Sequence, residues 1–500
     1  MTIAPSQALP TALRLAWRAL AALVVGILGA NPAWSAPPLQ WSECRLEHPL
    51  RLNSVQAQCS QLSVPENRDD PASNHIELKV ARVAALNRRK LASPLFLLAG
   101  GPGQSAIAMY VSVAPAFARI NRNHDIVLLD QRGTGASSPM QCEFPQDWTD
   151  EANTQAAIRA ATKACLGKLG NRVRFYTTAA AVQDLEEARR ALGYERIDLY
   201  GASYGTRVAQ EYMRSYGAQV EAVVLDGVTD PQRPIGPDTP LDGERALRAI
   251  LARCAGNTEC ARAYPQLATE WSALKLRFGS TQVPLELSDP TNDTRMPLTF
   301  NRSVLGAALR LLSYSSTQAS MLPLLIHRAA QGDLAPMAAQ AVMTARQVGD
   351  QLAIGMQNTV VCSEDWPVIE TVQLDRAEMA KTYQSTDQLD GLREICSLWP
   401  RGPVSPTLHA HLSSEVPTLL LSGEADPVTP PDAAFRAARG LTQHRHLILP
   451  GEGHGQLATA CVPRLMADFL DNAKPATLDA TCLKRHRPKP FFVAVSGPSP

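Results

Sequence analysis

One segment constrains the fold more than any other: in Ile197-Asp198-Leu199-Tyr200-Gly201-Ala202-Ser203-Tyr204-Gly205 an apolar run stops at a glycine-flanked serine, just before a helical pattern begins. Strand, tight turn and helix in that order hold a serine side chain at the end of a sheet, with bare backbone on either side. The surroundings repeat the rhythm. Apolar runs at Leu95–Ala99, Asp125–Leu129, Arg196–Tyr200 and Ala222–Leu225 read as strands. Between them Val182, Leu185, Ala188 and Leu192 recur at helical spacing, and Gly193 closes that helix. From about residue 76 to 230 this alternation implies an α/β fold, a mostly parallel central sheet flanked by crossover helices.

After Asp226 the pattern breaks at Asp230-Pro231-Gln232-Arg233-Pro234 and a helix-rich stretch follows. Its best segment takes Ser303 as N-cap and carries Leu305, Ala308, Leu309 and Leu312 on one face. The alternation resumes with Pro417–Ser422, a helix after Pro430-Pro431, His446–Leu449 and a closing helix near Cys461–Leu470. One interrupted core fits this better than two domains. We therefore expect a core in two parts, 36–230 and 406–500, with residues 231–405 as a large helical cap inserted between core strands, and the basic end Lys484-Arg485-His486-Arg487 as a solvated tail.

Residues 1–35 read as an export signal: Arg14 and Arg18 precede the apolar stretch Ala19–Ala30, and Ala33-Trp34-Ser35 offers small residues for cleavage. A stretch that short makes a helix of about 18 Å, against a hydrocarbon core of roughly 30 Å, so a lasting membrane anchor is not expected. The ten cysteines fit a periplasmic or extracellular location. Their number allows many pairings, but Cys44, Cys59, Cys142, Cys165, Cys254, Cys260, Cys362, Cys396, Cys461 and Cys482 fall into five neighbouring couples. Sequential pairing is the expectation. The net charge of +1 gives no field to gather phosphate backbones, so nucleic acid is not an expected partner. With no C-x-x-C pair and no H-E-x-x-H helix, neither metal nor organic cofactor is implied.

Ser203 needs a base, since a serine hydroxyl is a poor nucleophile at neutral pH. In the chain order nucleophile, acid, histidine, the candidates are His444, His446, His454 and His486. His454 stands out, because Gly451-Glu452-Gly453-His454-Gly455 is a flexible loop directly after an apolar run, whereas His446 lies within a strand pattern and His486 in the charged tail. Taken alone, a loop histidine is an ordinary surface residue. Asp426, in Gly423-Glu424-Ala425-Asp426-Pro427, is the acid that would orient the ring, with Glu424 as its local competitor. An oxyanion needs main-chain donors, and Gly100-Gly101-Pro102-Gly103 at a strand end offers them, with the Tyr204 amide as partner. A plain turn is the bland reading of the same glycines.

Taken together, Gly100-Gly101-Pro102-Gly103, Asp130-Gln131-Arg132-Gly133-Thr134-Gly135, Gly201-Ala202-Ser203-Tyr204-Gly205, Asp426-Pro427-Val428-Thr429-Pro430 and Gly453-His454-Gly455 resemble the proline iminopeptidase and tripeptidyl-aminopeptidase branch of the α/β-hydrolases. The resemblance implies that Ser203 is the nucleophile, Asp426 and His454 its partners, and Gly101 and Tyr204 the oxyanion donors. It also implies that the D-Q-R-G segment shapes the site and that a helical cap selects substrates with a free amino terminus. Proline iminopeptidases commonly have His before the GGPG loop; Ala99 here looks more like the exported tripeptidyl-aminopeptidase-like members.

Within the cap, Cys362-Ser363-Glu364-Asp365-Trp366-Pro367 sets two carboxylates beside an aromatic, and similar acids bind the substrate α-ammonium in the resembling family. A solvated turn is the competing reading of Glu364 and Asp365. The expected function is an exported serine hydrolase that releases residues or short peptides from peptide N-termini, acting on a peptide or small ester substrate. Two readings compete with it: a carboxylesterase with the same triad and a noncatalytic binding protein on a hydrolase scaffold. Peptide mapping without reductant is expected to recover five linked cysteine pairs; a majority of free thiols would refute both the pairing and the export reading.

Overall fold

The computed structural model describes Thr2 and residues 39–48, 50–142, 155–289, 294–459 and 461–498. The export signal read in residues 1–35 thus lies outside the described residues, Thr2 aside. All described strands and helices belong to the unit Leu39–Pro500.

Strands β4 (Leu95–Leu98) and β5 (Ile126–Leu129) are buried at every position, as central strands covered by helices on both faces must be. Successive side chains alternate between faces. Leu95 and Leu97 pack with Tyr110, Phe117 and Phe469, while Phe96 and Leu98 pack with Val208 and Tyr212. The remaining sheet strands are β1 (Ser42–Glu47), β2 (Ser54–Pro65), β3 (His75–Val83), β6 (Ile197–Ala202), β7 (Val220–Asp226), β10 (Thr418–Gly423) and β11 (His444–Leu449), in the spatial order β1-β2-β3-β5-β4-β6-β7-β10-β11. From β5 to β11 neighbours run parallel; β1, β2 and β3 are antiparallel additions at one edge. The first two strands lie outside the stretch where alternation was legible. In β2 the apolar residues are divided between the two faces, Ala57 and Cys59 packing on one side and Leu62 and Val64 on the other, with Gln56, Gln58, Gln61 and Ser63 among them, so it lacks the continuous apolar run of a central strand.

The chain leaves the sheet after β7 and returns at β10. Between them lie helices, among them Thr239–Ala255, Arg302–Leu312, Ala335–Gln351 and Asp387–Cys396, and the hairpin β8 (Val283–Ser288) with β9 (Arg295–Phe300). The hairpin is an addition to the expected helical cap, and in it Leu287, Leu298 and Phe300 add a small sheet to a separate apolar cluster with Leu305, Leu309 and Leu312. The helix Arg302–Leu312 buries the expected face, but its cap is Asn301, whose side chain accepts from Val304 N at 3.1 Å. Ser303 sits inside the first turn, so the N-cap expectation is corrected by two residues. The cysteines form the five sequential disulfides Cys44–Cys59, Cys142–Cys165, Cys254–Cys260, Cys362–Cys396 and Cys461–Cys482.

The inserted segment thus has its own core. Leu309→Ala, at a fully buried position, is expected to cost about 2–5 kcal/mol through lost burial and a residual cavity. Met343→Ala, at an exposed position, is expected to cost less than about 0.5 kcal/mol. Urea unfolding of the two variants checks the difference.

Candidate active site

Strand β6 hands the chain to the helix Tyr204–Tyr216 through Ser203, which holds φ +53°, a left-handed conformation that a residue with a Cβ enters only under constraint. Close approach supplies that constraint: a Cβ on Gly205 would stand 2.2 Å from the Leu98 carbonyl oxygen. The helix therefore starts directly against β4. The Ser203 amide donates to the Asp226 carbonyl at 2.9 Å, and the Ser203 carbonyl accepts from Thr206 N at 2.9 Å and Thr206 Oγ1 at 2.7 Å. The elbow is held on both sides.

Asp426 follows the C-terminal end of β10 and is fully buried. Its Oδ1 accepts from Val428 N and Thr429 N, each at 2.8 Å, and its Oδ2 accepts from Thr429 Oγ1 at 2.9 Å and His454 Nδ1 at 2.8 Å. A carboxylate only accepts, so the Nδ1 proton of His454 faces Asp426 and Nε2 keeps its lone pair. Arg245, from the helix Thr239–Ala255, donates to the Asp426 carbonyl at 2.6 Å and ties the acid loop to the inserted segment. Glu424, the competitor, instead takes the Gly451 amide at 2.9 Å.

The imidazole is fixed from three further sides. His454 N donates to the Tyr314 carbonyl at 2.7 Å, and the Tyr314 ring stands edge-on at 5.3 Å between centroids. A Cβ on Gly227 would sit 2.8 Å from His454 Cε1, so only a glycine leaves room for the ring. Burial lowers the imidazole's proton affinity; the Asp426 charge and hydrogen bond and the Asp226 charge oppose it, and the pKa lies above the ordinary histidine value of 6.5. Ser203 and His454 thus flank the Asp226-Gly227 segment. Among the described residues no hydrogen bond joins the Ser203 hydroxyl to the ring, an arrangement free enzymes often show before substrate closes the contact.

The GGPG loop lies against the same serine: a Cβ on Gly100 would stand 3.1 Å from Ser203 Cβ. Gly101 has φ +106°, and the Gly103 carbonyl accepts from Ala353 N at 2.9 Å. Tyr204 heads its helix, where the first amides have no intrahelical acceptor. Its phenol is buried, contacting Thr178 Oγ1 at 2.7 Å and receiving Gln131 Nε2 at 3.2 Å. The D-Q-R-G segment is consumed internally. Arg132 donates to both Asp184 oxygens at 2.6 and 2.7 Å, and Asp130 accepts from Ser105 Oγ at 2.6 Å.

Glu364 and Asp365 are placed otherwise than expected. Both are buried in a π-type turn, Val361–Asp365. Thr178 N and Oγ1 donate to Glu364 at 2.6 and 2.7 Å, while Arg207 grips Asp365 at 2.7 and 3.0 Å and Ile235 N adds a third bond at 2.7 Å. Desolvation pushes Glu364 up to about 7. Both carboxylates are thus enclosed, with every oxygen engaged by a donor of the protein. They instead bind the turn to the helices Thr178–Ala191 and Tyr204–Tyr216.

Sequence reasoning missed Asp226, Thr429, Tyr314 and Arg207. Asp226 had a faint signal, an acid ending an apolar run. Its buried carboxylate accepts from Tyr200 Oη at 2.8 Å, Gln456 N at 2.7 Å and Leu457 N at 3.0 Å, so it anchors the loop just after His454. Desolvation pushes it up to about 6.

Residues 93–459 fit the family described as the alpha/beta hydrolase fold. Serine protease Hip1 of Mycobacterium tuberculosis is 25% identical, over 85% of this chain and 89% of its own. The tripeptidyl aminopeptidase of Streptomyces lividans is 24% identical over 90% and 88%, and carboxylesterase B of Mycobacterium tuberculosis 28% identical over 88% and 89%.

Because neutral imidazole is the basic form, kcat/KM for an ester is expected to rise with pH through a midpoint above the usual histidine value of 6.5. The groups facing the ring are Asp426, Asp226, Arg310, Thr429 and Tyr314. Asp226→Asn removes one anion and keeps an acceptor for the loop amides, so the midpoint should move to lower pH. Asp226→Ala should also unseat the loop and lower kcat by a larger factor; an unmoved midpoint in Asp226→Asn refutes the electrostatic link.

Proposed function

The chain belongs to the alpha/beta hydrolase fold family, and from that membership we propose an exported serine hydrolase that releases residues or short peptides from peptide N-termini through an acyl-enzyme. The observation that carries this reading is the 2.8 Å Asp426–His454 pair held beside a serine on a left-handed elbow. Ser203 Oγ attacks the scissile carbonyl while its proton passes to His454 Nε2. Asp426 keeps the ring oriented and stabilises the imidazolium. The developing O⁻ lies between the amides of Gly101 and Tyr204, each worth roughly 10²–10³ in rate. The imidazolium then protonates the leaving amine, and water attacks the acyl-enzyme by the same steps in reverse.

The names of two relatives, a serine protease and a tripeptidyl aminopeptidase, support peptides as substrates. The third supports a carboxylesterase as the second reading, because ester and amide pass through similar tetrahedral intermediates. The inserted segment 231–405 is proposed as the cap that screens substrates. Export rests on the N-terminal pattern and on the five disulfides, which persist in oxidising compartments. Among the described residues no helix is long and apolar enough to cross a membrane.

The test is a substrate panel of Pro-, Ala- and tripeptidyl amides against N-acylated amides and short-chain esters, beside Ser203→Ala. Free-amino amides are expected to be cleaved faster than their N-acylated forms, with kcat for Ser203→Ala down by at least roughly 10³-fold. Cleavage of esters alone would favour the carboxylesterase. Failure of the mature protein to react with a fluorophosphonate would remove the nucleophile.

A further inference from the structure

The helix Arg302–Leu312 turns Val304, Leu305, Ala308 and Leu309 into the apolar cluster and leaves Arg302, Gly306 and Arg310 along its other side. That side lines a cavity of about 850 Å³, whose wall also includes Gln357, Tyr383 and Gln388. Ile354 lies in the wall too, next to Ala353, which takes the carbonyl of Gly103 in the GGPG loop. At the other end, Arg310 is one turn from Ser313 and Tyr314, whose carbonyls close on Gly453, and Tyr314 holds the His454 amide. Two residues of the cavity wall, Ile354 and Arg310, are thus one residue and one turn from the segments that contact the GGPG loop and the histidine loop.

Charge in this wall is unevenly compensated. Asp387 is held by Arg302 at 2.8 and 3.1 Å, and Asp390 by Arg376 at 2.7 Å. Arg310 differs. Its Nη1 donates to the neutral Gln388 Oε1 at 2.8 Å, its Nε is buried without a partner, and among the described residues no carboxylate lies within ion-pair reach. The charge acts on the neighbouring chemistry, opposing protonation of His454. Tyr383, in the same wall, also has a buried hydroxyl without a partner. A buried guanidinium N–H is costly to leave without an acceptor, and the planar fork matches a carboxylate. An aliphatic acyl chain would leave both donors unpaired, and an ammonium would be repelled.

We propose that Arg310, with Tyr383, forms a subsite for a carboxylate on the acyl part of the substrate, so that the enzyme prefers peptides with an acidic side chain on the N-terminal side of the scissile bond. The subsite deepens the function proposed above and rests on Ser203, His454 and Asp426 being the reacting groups. The decisive measurement compares matched substrates on the full mature protein: peptide amides with Glu or Gln at each of the first positions upstream of the cleaved bond, and p-nitrophenyl esters of adipate, with its free carboxylate, or of hexanoate.

The wild-type enzyme is expected to favour the carboxylate member by about 10- to 100-fold in kcat/KM, as a charge-assisted hydrogen bond in a partly dry site provides. Arg310→Gln should bring that ratio close to one, Arg310→Glu should turn it towards Lys-containing peptides, and Tyr383→Phe should lower it by a smaller factor. A wild-type ratio near one for both substrate types, or an unchanged ratio in Arg310→Gln, overturns the subsite. The two proposals fail separately: if esters are hydrolysed and peptides are not, the peptide reading falls while the ester ratio still decides on Arg310. Calorimetric titration with adipate decides it without turnover; weaker binding to Arg310→Gln than to wild type supports the subsite, and equal or absent binding overturns it.

Discussion

Asp226 joins the two loops on which the rest of the site depends. Its carbonyl takes the amide of Ser203, and its carboxylate takes the amides of Gln456 and Leu457, just beyond His454. Serine and histidine come from strand ends far apart in sequence, and one buried residue at the end of β7 holds both. A carboxylate in such a place would be costly by itself. Three donors offset that cost, Tyr200 Oη and the two amides, and the charge of the nearby imidazole adds to them when it is protonated. The parallel sheet makes this possible, because β6, β7 and β10 all end at the same edge.

The inserted segment is tied to that edge through polar contacts. Arg207, on the helix after Ser203, holds Asp365; Thr178 holds Glu364 and touches the phenol of Tyr204; Arg245 reaches the carbonyl of Asp426. Arg207, Asp365, Thr178 and Glu364 are buried and paired, and breaking one partner of such a pair typically destabilises far more than removing both. The segment's apolar core is separate, formed around Leu305, Leu309 and Phe300. It keeps its own shape while the polar ties set its register on the loops that carry Ser203 and Asp426.

This division leaves a cavity with a definite electrostatic character. Carboxylates at its far side are neutralised by Arg302 and Arg376, and the acids expected to meet a substrate are enclosed within the turn Val361–Asp365. Among the described residues of its wall, the charge of Arg310 is left without a counter-ion, and it acts on the imidazole. Binding in this fold is thus a matter of which side chains the inserted segment leaves unpaired, and Ser203, His454 and Asp426 by themselves say nothing about that.

The elbow, the histidine loop, the acid turn and the central strands were legible because their evidence lies in consecutive residues: glycines where backbone approaches closely, apolar runs where both faces are covered, proline after the acid. β2 was not, since its few apolar residues are split between two faces and spread among glutamines and serines, and neither was the hairpin of β8 and β9, whose strands are short and half exposed. The sequence by itself determined the fold class and which serine, acid and histidine were available. Only the tertiary structure decided what the other charges do. Whether Asp226, Glu364, Asp365 or Arg310 faces a partner or a cavity depends on residues such as Thr178, Arg207 and Gln456, which are remote in the chain, and burial and pairing arise only when the packed elements bring such residues together.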